Sequence, residues 1–391
     1  MPKPRSPVPR AFFIVAISNF LFFLNFAFFF LLPLWVLEKG GGEETAGRVI
    51  GVAGLAGLLS LPAVGYFLDR FGRRRFMIGG MAVGALTSFY YLTIDSIGPE
   101  LYLVRALQGI SFTCAFTGAQ TLAVLFAPPL RRAEAIGWFG ISTILTHAIS
   151  PAIGEELILR WGFETVFTCA GFLASAACLM ACQLPPPPEL VDSAAGLKRD
   201  PLLARRVVLV ACLAMTCYGF GFGSVQTFVP MMMARLDLGR VGAFFAAWSL
   251  SAVATRLALG RTSDRVGRRR VIVPAMATMS LAVAMLAVTR SFAGVICAGV
   301  VFGLAQGLLY PTMNALVADW SSPTNIGRTQ SLFSGSYSLG ISLCAYLFGS
   351  IAENHGYTTM FVITLGLTGL GMAIFATGPP DTVPLASPEE V

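Results

Sequence analysis

Charge is scarce in this sequence. Asp, Glu, Lys and Arg make up 12% of its 391 residues, whereas soluble domains carry about 25%. Hydrophobic residues account for 55%, and the mean hydropathy is +0.74. A chain with so few charges cannot face water over most of its surface. The composition therefore excludes an ordinary soluble domain and indicates a protein embedded in a membrane.

The sequence also lacks the motifs of common enzyme classes. It contains no Walker-type glycine loop, no serine nucleophile elbow and no cluster with zinc-ligand spacing, so we predict no enzyme activity, no cofactor and no metal. Its eight cysteines lie within hydrophobic runs, and we interpret them as small buried apolar residues. Because the sequence has no Walker-type loop to bind ATP, any transport should be driven by an ion gradient.

Long hydrophobic runs are what the sequence has instead. A helix needs about 20 predominantly apolar residues to cross a hydrocarbon core of about 30 Å, because lipid offers no partner to unpaired backbone groups. We therefore predict an all-α membrane protein with twelve transmembrane helices. The runs cover residues 11–37, 46–68, 76–94, 100–126, 133–156, 163–183, 206–233, 241–261, 271–289, 292–318, 328–351 and 357–378.

The charges that are present lie mostly on one side. Of the 27 lysines and arginines, 19 fall in the N-terminal tail, the linker and alternate loops, six fall in the opposite loops, and two lie within runs. Lys and Arg are enriched in cytoplasmic loops. We therefore predict that both termini are cytoplasmic and that the protein lies in the bacterial inner membrane. The net charge of +7 then reflects topology and lipid headgroups, not nucleic acid.

The two halves of the sequence repeat one another. The pattern Gly-x-x-x-Asp-Arg-x-Gly-Arg-Arg-Arg at Gly65 recurs at Gly260, and Gln108-Gly109 recurs as Gln306-Gly307. Four consecutive prolines and a polar stretch separate the halves, which is typical of a linker. We predict an N-terminal six-helix bundle over 1–183, a cytoplasmic linker over 184–205, and a C-terminal six-helix bundle with a short cytoplasmic tail over 206–391.

These motifs resemble those of the major facilitator superfamily, whose signature between helices 2 and 3 matches the pattern at Gly65. The resemblance covers essentially the whole chain and is nearest to the drug and sugar efflux branch of proton antiporters. It implies two six-helix bundles that rock about a central cavity with a solute site near the membrane midplane.

The loop motif predicts a conformational latch. Gly65 should let a neighbouring helix approach, and Asp69 should seek a positively polarised helix start. The resemblance suggests the start of helix 11 for Asp69, with Asp264 facing helix 5 by symmetry. The alternative is that the arginines only anchor the loops to the cytoplasmic side. The predicted latch comprises Gly65, Asp69, Arg70, Gly72, Arg73, Arg132, Asp264, Arg265, Gly267, Arg268 and Arg328.

Polar residues inside the runs predict the solute and proton pathway, because charge in a bilayer must face a cavity or a partner. Arg105 precedes Gln108 by three residues, which resembles the helix 4 motif of proton-coupled members; a structural pairing with a backbone carbonyl is the alternative. Arg256 could line the cavity or extend to the interface, and His147 could titrate or stay neutral. The full predicted set is Asn25, Arg105, Gln108, His147, Pro151, Gln226, Arg256, Gln306, Asn314 and Tyr337.

A segment of helix 5 indicates the direction of transport. The segment from Ser150 to Glu155 resembles the Gly-Pro-x-x-Gly-Gly ending of antiporters, with Pro151 retained and two glycines replaced. With two interior arginines and no central acid, the cavity should favour an anionic or neutral solute. We predict a monomeric, proton-coupled exporter of a small solute. The alternatives are an uptake symporter for a carboxylate or other organic anion, and a non-transporting receptor or lipid-handling protein.

Overall fold

A computed structural model describes residues 9–128, 132–186, 206–260, 262–321 and 326–378 of the chain. Within these ranges the regular structure is helical and contains no strand, which confirms the all-α prediction. We number the long helices in chain order: α1 Arg10–Glu38, α2 Glu43–Phe71, α3 Arg73–Tyr90, α4 Pro99–Phe126, α5 Arg132–Trp161, α6 Phe163–Ala181, α7 Arg206–Arg235, α8 Val241–Leu259, α9 Arg268–Val288, α10 Phe292–Asp319, α11 residues 326–355 and α12 residues 357–376.

Apolar length makes this a multi-pass membrane protein. In the described residues, 10 helical segments are long and apolar enough to span a bilayer. One of them contains both α11 and α12, whose shared helix breaks at Gly356, and α5 is not among the ten. Two details differ from the sequence prediction. A 3-10 turn at Phe29–Leu31 interrupts α1, and a short helix, Thr262–Val266, precedes α9.

Repeated glycines end helices in the same way in both halves. Gly72 follows α2 with φ 90° and ψ 137°, and Gly267 precedes α9 with φ 95° and ψ 141°. L-residues with a side chain rarely adopt such positive φ values, whereas glycine pays no Cβ penalty there. The glycines of the repeated motif therefore set the sharp turn between one helix and the next.

A second repeated glycine packs helices closely inside each half. A Cβ added to Gly109 of α4 would overlap the carbonyl oxygen of Ala53 in α2, and one added to Gly307 of α10 would lie 2.6 Å from that of Ala252 in α8. Membrane helices associate through such small residues, because lipid supplies no hydrophobic drive between them. The Gln-Gly repeat thus marks equivalent helix crossings.

The two halves meet along two helix pairs. In one pair, α2 packs on α11, and the Cβ of a side chain at Gly51 would come within 2.8 Å of the Tyr346 side chain. In the other, α5 packs on α8, and a Cβ at Gly242 would lie 2.6 Å from the Cα atom of Ala152. These crossings frame the central interface in which the candidate site lies.

Candidate functional site

The helices run between two opposite faces of the molecule. The terminal face is the one where α1 begins at Arg10 and α12 ends near Gly378. The distal face is the opposite one, with the loops at Gly42, Gly162 and Arg240. Polar contacts between the two halves cluster at the distal face.

Glu155 links α5 to α8 at the distal face. Its carboxylate accepts hydrogen bonds from the backbone N–H of Val241 at 2.9 Å and of Gly242 at 2.8 Å. These amides belong to the first turn of α8, where N–H groups have no partner within the helix and the helix dipole is positive. The carboxylate therefore holds the end of one half against a helix start of the other.

Glu353 makes the corresponding contact between α11 and α2. Its carboxylate accepts a hydrogen bond of 2.8 Å from the backbone N–H of Glu44 in the first turn of α2. Glu353 follows Glu155 by the same number of residues as Gln306 follows Gln108. The repeat thus makes the same cross-bundle contact twice, and we call the two contacts of Glu155 and Glu353 the distal clasps.

A buried carboxylate reinforces the second clasp. Glu43 is 6% exposed, lies 3.0 Å from the Nε atom of Arg235 in α7, and accepts a hydrogen bond of 2.7 Å from the Tyr357 hydroxyl of α12. Beside the first clasp, Glu156 pairs with Arg240 at 3.0 Å, an exposed ion pair that contributes little. Carboxylates therefore join the two halves at the distal face along both helix pairs.

An aromatic layer lies beneath the first clasp. The ring of His147 in α5 is 4.9 Å from that of Phe30 in α1 and 5.6 Å from that of Trp248 in α8. Phe30 also contacts Phe245 of α8, with ring centroids 5.5 Å apart. His147 Nδ1 lies 2.9 Å from the Thr143 carbonyl. The structure therefore places His147 at the contact between the halves, among apolar rings.

Toward the terminal face, two glycines of these helices lack the close neighbours that glycines nearer the distal face have. A Cβ at Gly335 of α11 would still touch Leu58 of α2 at 3.5 Å, but a Cβ at Gly65 or at Gly137 of α5 would meet nothing within 4 Å. Gly65 has no close neighbour in this conformation, so the close approach predicted there stays a prediction. The side chains of Asp69, Asp264 and Arg132 lie outside the described residues, so their part in the latch stays a prediction.

Two arginines of the loop motifs bind within their own halves. Arg74 donates to the Cys182 carbonyl beyond α6 at 2.7 Å, and Arg269 donates to the Gly378 carbonyl beyond α12 at 3.0 Å. Cations near a helix C-terminus satisfy its free carbonyls. Arg268, predicted to be part of a cross-bundle latch, is paired with Asp319 of α10 in the same half. Other latch residues lie at this face: Arg70 within 3.5 Å of Tyr66, Arg73 at the start of α3, and Arg265 and Arg328 exposed.

Arg105 is buried inside the N-terminal half. Its guanidinium donates to Gln108 at 2.7 Å and to the Val49 carbonyl at 3.5 Å, and it lies 5.8 Å from the Phe29 ring. Asn25 is likewise bonded within this half, to Ser88 at 2.7 Å. The geometry matches the structural alternative for Arg105, a pairing with a backbone carbonyl.

Arg256 differs because its surroundings belong to the central interface. A Cβ at Gly140 of α5, in the other half, would lie 3.0 Å from its Nη1 atom, and Tyr218 and Tyr310 are its electrostatic neighbours. Among the described residues no carboxylate lies within ion-pair distance of Arg256. Tyr337 stacks on Tyr218, and Phe222 links Tyr337 to Trp248 by ring contacts. We define the polar aromatic cluster as the polar side chains of this part of the C-terminal half: Tyr218, Trp248, Arg256, Gln306, Tyr310, Asn314 and Tyr337.

The remaining predicted pathway residues are dispersed. Gln226 is half-buried in α7, and Pro151 is buried within α5. The hydroxyl of neighbouring Ser150 donates to the Leu24 carbonyl of α1 at 2.8 Å. In the described part of the chain no group of three or more His, Cys, Asp or Glu side chains could hold a metal ion.

Sequence reasoning missed several residues of this interface. Glu353 could have been found, because the repeat that relates Gln108 to Gln306 maps Glu155 onto it. Glu43, Arg235 and Tyr357 carry no comparable signal, since their contact joins three helices that are distant in the chain.

Known proteins resemble this chain along its full length. The family model described as Major Facilitator Superfamily matches residues 12–239 and 211–390. The staphylopine export protein of Staphylococcus aureus is 22% identical over 350 residues, covering 85% of this chain and 86% of that protein. The multi-drug resistance efflux pump PmrA of Streptococcus pneumoniae is 24% identical over 348 residues, with 85% and 86% covered.

A solved structure shares the fold. The crystal structure of a D-xylose-proton symporter has a TM-score of 0.78 and 14% sequence identity, covering 95% of this chain and 97% of that one. At this identity the likeness shows the architecture alone. It agrees with the helix order and the two-fold repeat described above.

Proposed function

This chain belongs to the Major Facilitator Superfamily and is a transporter rather than an enzyme; we propose that it exports a small solute across the bacterial inner membrane in exchange for protons. Twelve helices, α1 to α12, cross the bilayer in this proposal. The terminal face, which carries the excess of Lys and Arg, is cytoplasmic, and the protein acts as a monomer.

One observation carries the proposal: among the described residues, the carboxylate contacts that join the two halves lie at the distal face. The distal clasps hold α5 on α8 and α11 on α2, whereas Gly65 and Gly137 have no neighbour within Cβ reach at the other end. A solute path open to one side only is one of the two end states that alternating access requires. We assign this conformation to the state that faces the cytoplasm.

The opposite state is stabilised by the terminal latch in this scheme. Asp69 of the first loop motif pairs with the start of α11 near Arg328, and Asp264 pairs with the start of α5 near Arg132. These contacts form as the distal clasps break, because both sets join the same helix pairs at opposite ends. Carboxylates at helix starts would thus hold each end state in turn.

The direction and the coupling follow from different observations. The names of the two bacterial relatives describe export, and we extend that direction to this chain. For the proton we propose Glu155 and His147, because both lie at the contact between the halves. A proton on Glu155 would remove the charge that the two amides of α8 stabilise, so protonation and opening of the distal face are linked.

The alternative is an uptake symporter for a carboxylate or other organic anion. It is favoured by Arg256, a cation at the central interface without a carboxylate partner among the described residues. It differs from export only in the relative direction of solute and proton.

Everted membrane vesicles distinguish the two functions. Respiration acidifies their lumen, and their cytoplasmic face points outward. If the protein is a proton-coupled exporter, a transported solute added outside raises the lumenal pH within seconds, whereas vesicles without the protein show no change. A pH rise only when the solute is preloaded in the lumen would establish symport and contradict export. Aromatic anions, neutral sugars and organic cations are compared in the same assay.

A further inference from the structure

The polar aromatic cluster contains one charged side chain, Arg256. Arg256 has no carboxylate within ion-pair distance among the described residues, and its Nε atom is buried without a hydrogen-bond partner. The guanidinium reaches Gly140 across the interface and is not directed to lipid. A desolvated charge is costly unless it is paired. An anion between the halves would supply that pair.

Two further buried donors lie in the same cluster. The Tyr218 hydroxyl and the Trp248 indole N–H belong to side chains that are each 2% exposed, and neither has a partner in the described structure. The indole nitrogen can only donate. Tyr218 is a neighbour of Arg256, so these two groups together suit an acceptor-rich group such as a carboxylate. Trp248 lies two turns further along α8, where its N–H can donate to another acceptor of the same solute.

Aromatic rings surround these donors. The rings of Tyr218 and Tyr337 stack with centroids 5.4 Å apart at 16°, and Tyr310 follows at 5.3 Å from Tyr337. In the N-terminal half, Phe26 and Phe112 stack at 4.3 Å. Ring contacts lead from Phe26 through Phe30 and His147 to Trp248. Rings of both halves therefore meet at this interface, which favours a planar apolar group. The adjacent guanidinium disfavours a cation, which aromatic faces alone would accept.

We propose that the solute is an aromatic organic anion, whose carboxylate binds Arg256 and Tyr218 in the C-terminal half while its ring extends toward Trp248 and the phenylalanines of the N-terminal half. This inference rests on the proposed transport function and specifies its substrate class. It also gives the two halves different tasks, since one recognises charge and the other recognises shape.

The test is equilibrium binding to purified protein in nanodiscs, without any ion gradient. The probes share one ring system and differ in charge: 1-naphthoate, 1-naphthamide and protonated 1-naphthylmethylamine. We expect naphthoate to bind at least tenfold more tightly than the other two. Arg256→Gln should weaken naphthoate by about 10- to 100-fold and leave naphthamide within about threefold, because only the anion loses a charged bond.

Matched variants separate recognition from folding. Arg290→Gln removes an exposed arginine at the distal face and should leave all three affinities unchanged. Tyr218→Phe, which removes only a hydroxyl, should weaken naphthoate about threefold to tenfold and keeps the test valid if Arg256→Gln does not fold. Equal binding of the amine, weak binding of all three probes, or an unchanged naphthoate affinity in both Arg256→Gln and Tyr218→Phe would each overturn the inference.

The two experiments distinguish a wrong substrate class from a wrong transport function. If naphthoate does not bind but other solutes still raise the lumenal pH of everted vesicles, the substrate class is wrong and proton-coupled export stands. If naphthoate binds with the predicted dependence on Arg256 but no solute moves protons, the substrate class stands and the proposed export is wrong.

Discussion

The two halves of this transporter share one backbone plan but differ in the side chains along equivalent helices. The separation that relates Gln108 to Gln306 also relates Phe112 to Tyr310 and Phe116 to Asn314. In the N-terminal half these positions form a phenylalanine stack, with Phe112 and Phe116 5.4 Å apart. In the C-terminal half they carry a hydroxyl and an amide.

The buried arginines show the same contrast. Arg105 is bonded to Gln108 and to a backbone carbonyl inside its own half, whereas Arg256 reaches the interface with its Nε atom unpartnered. A duplicated fold preserves turns and helix crossings, because these depend on the backbone. It leaves the polar surface of each half free to diverge, so function is asymmetric within a symmetric frame.

The contrast between the two buried arginines predicts opposite effects of their removal on stability. Arg105→Leu should lower the free energy of unfolding by about 2–3 kcal/mol, because Gln108 and the Val49 carbonyl lose a charged donor inside the protein. Arg256→Leu should leave the unfolding free energy of the solute-free protein unchanged or raise it, since the variant removes a buried charge that has no ion-pair partner among the described residues. Unfolding in mixed micelles by SDS, followed by circular dichroism, measures both.

Arg290→Leu serves as the exposed control for that pair and should change stability by less than about 0.5 kcal/mol. A loss at Arg256→Leu as large as that at Arg105→Leu would mean that both arginines are structural. The contrast between the halves would then disappear.

The repeated turns at Gly72 and Gly267 predict equal losses of stability in the two halves. Gly72→Ala and Gly267→Ala place a Cβ at φ 90° and φ 95°, and each should cost about 1–2 kcal/mol, because L-residues are strained there. The two losses should agree within about 0.5 kcal/mol, since the turns are equivalent. Gly79→Ala is the matched control, with helical backbone and nothing within 4 Å of the added Cβ. It should be neutral or stabilising, and unequal losses at Gly72 and Gly267 would show that the turns are supported differently.

Much of this fold could be predicted from the sequence, because apolar length and repeated glycines are local signals. The predicted runs match the long helices, and Gly72 and Gly267 mark their turns. The site was harder to predict. Arg105 and Arg256 look alike in sequence, since both are arginines within apolar runs. Which of them has a partner depends on helices distant in the chain, such as α2 for Arg105 and α5 for Arg256.

The distal face shows the same limit. The sequence marks Glu155 only as the end of a segment in which two glycines are replaced. Its partners are backbone amides, which every residue except proline has. No side-chain pattern can mark them. The repeat does map Glu155 onto Glu353, so internal symmetry could have revealed the second clasp even where contact prediction could not.

The two distal clasps, at Glu155 and Glu353, should contribute equally to closing the distal face, because they are equivalent in the repeat. Glu155→Gln and Glu353→Gln each keep a hydrogen-bond acceptor but lose the charge at a helix start, so each should weaken the closed distal face by about 1 kcal/mol, or about fivefold in the ratio of closed to open molecules. Spin labels at Glu100→Cys and Arg290→Cys, in a background without other cysteines, report the distance across that face. Each single variant should increase the open fraction, and the double variant should increase it by about the product of the two, because the clasps lie on separate helix pairs.

Gln183→Glu, at the terminal end of α6, changes a charge by one unit far from both clasps and should leave the distance unchanged. If only one of the two glutamate variants changes the distance distribution, the two contacts share a geometry but only one helix pair keeps the distal face closed.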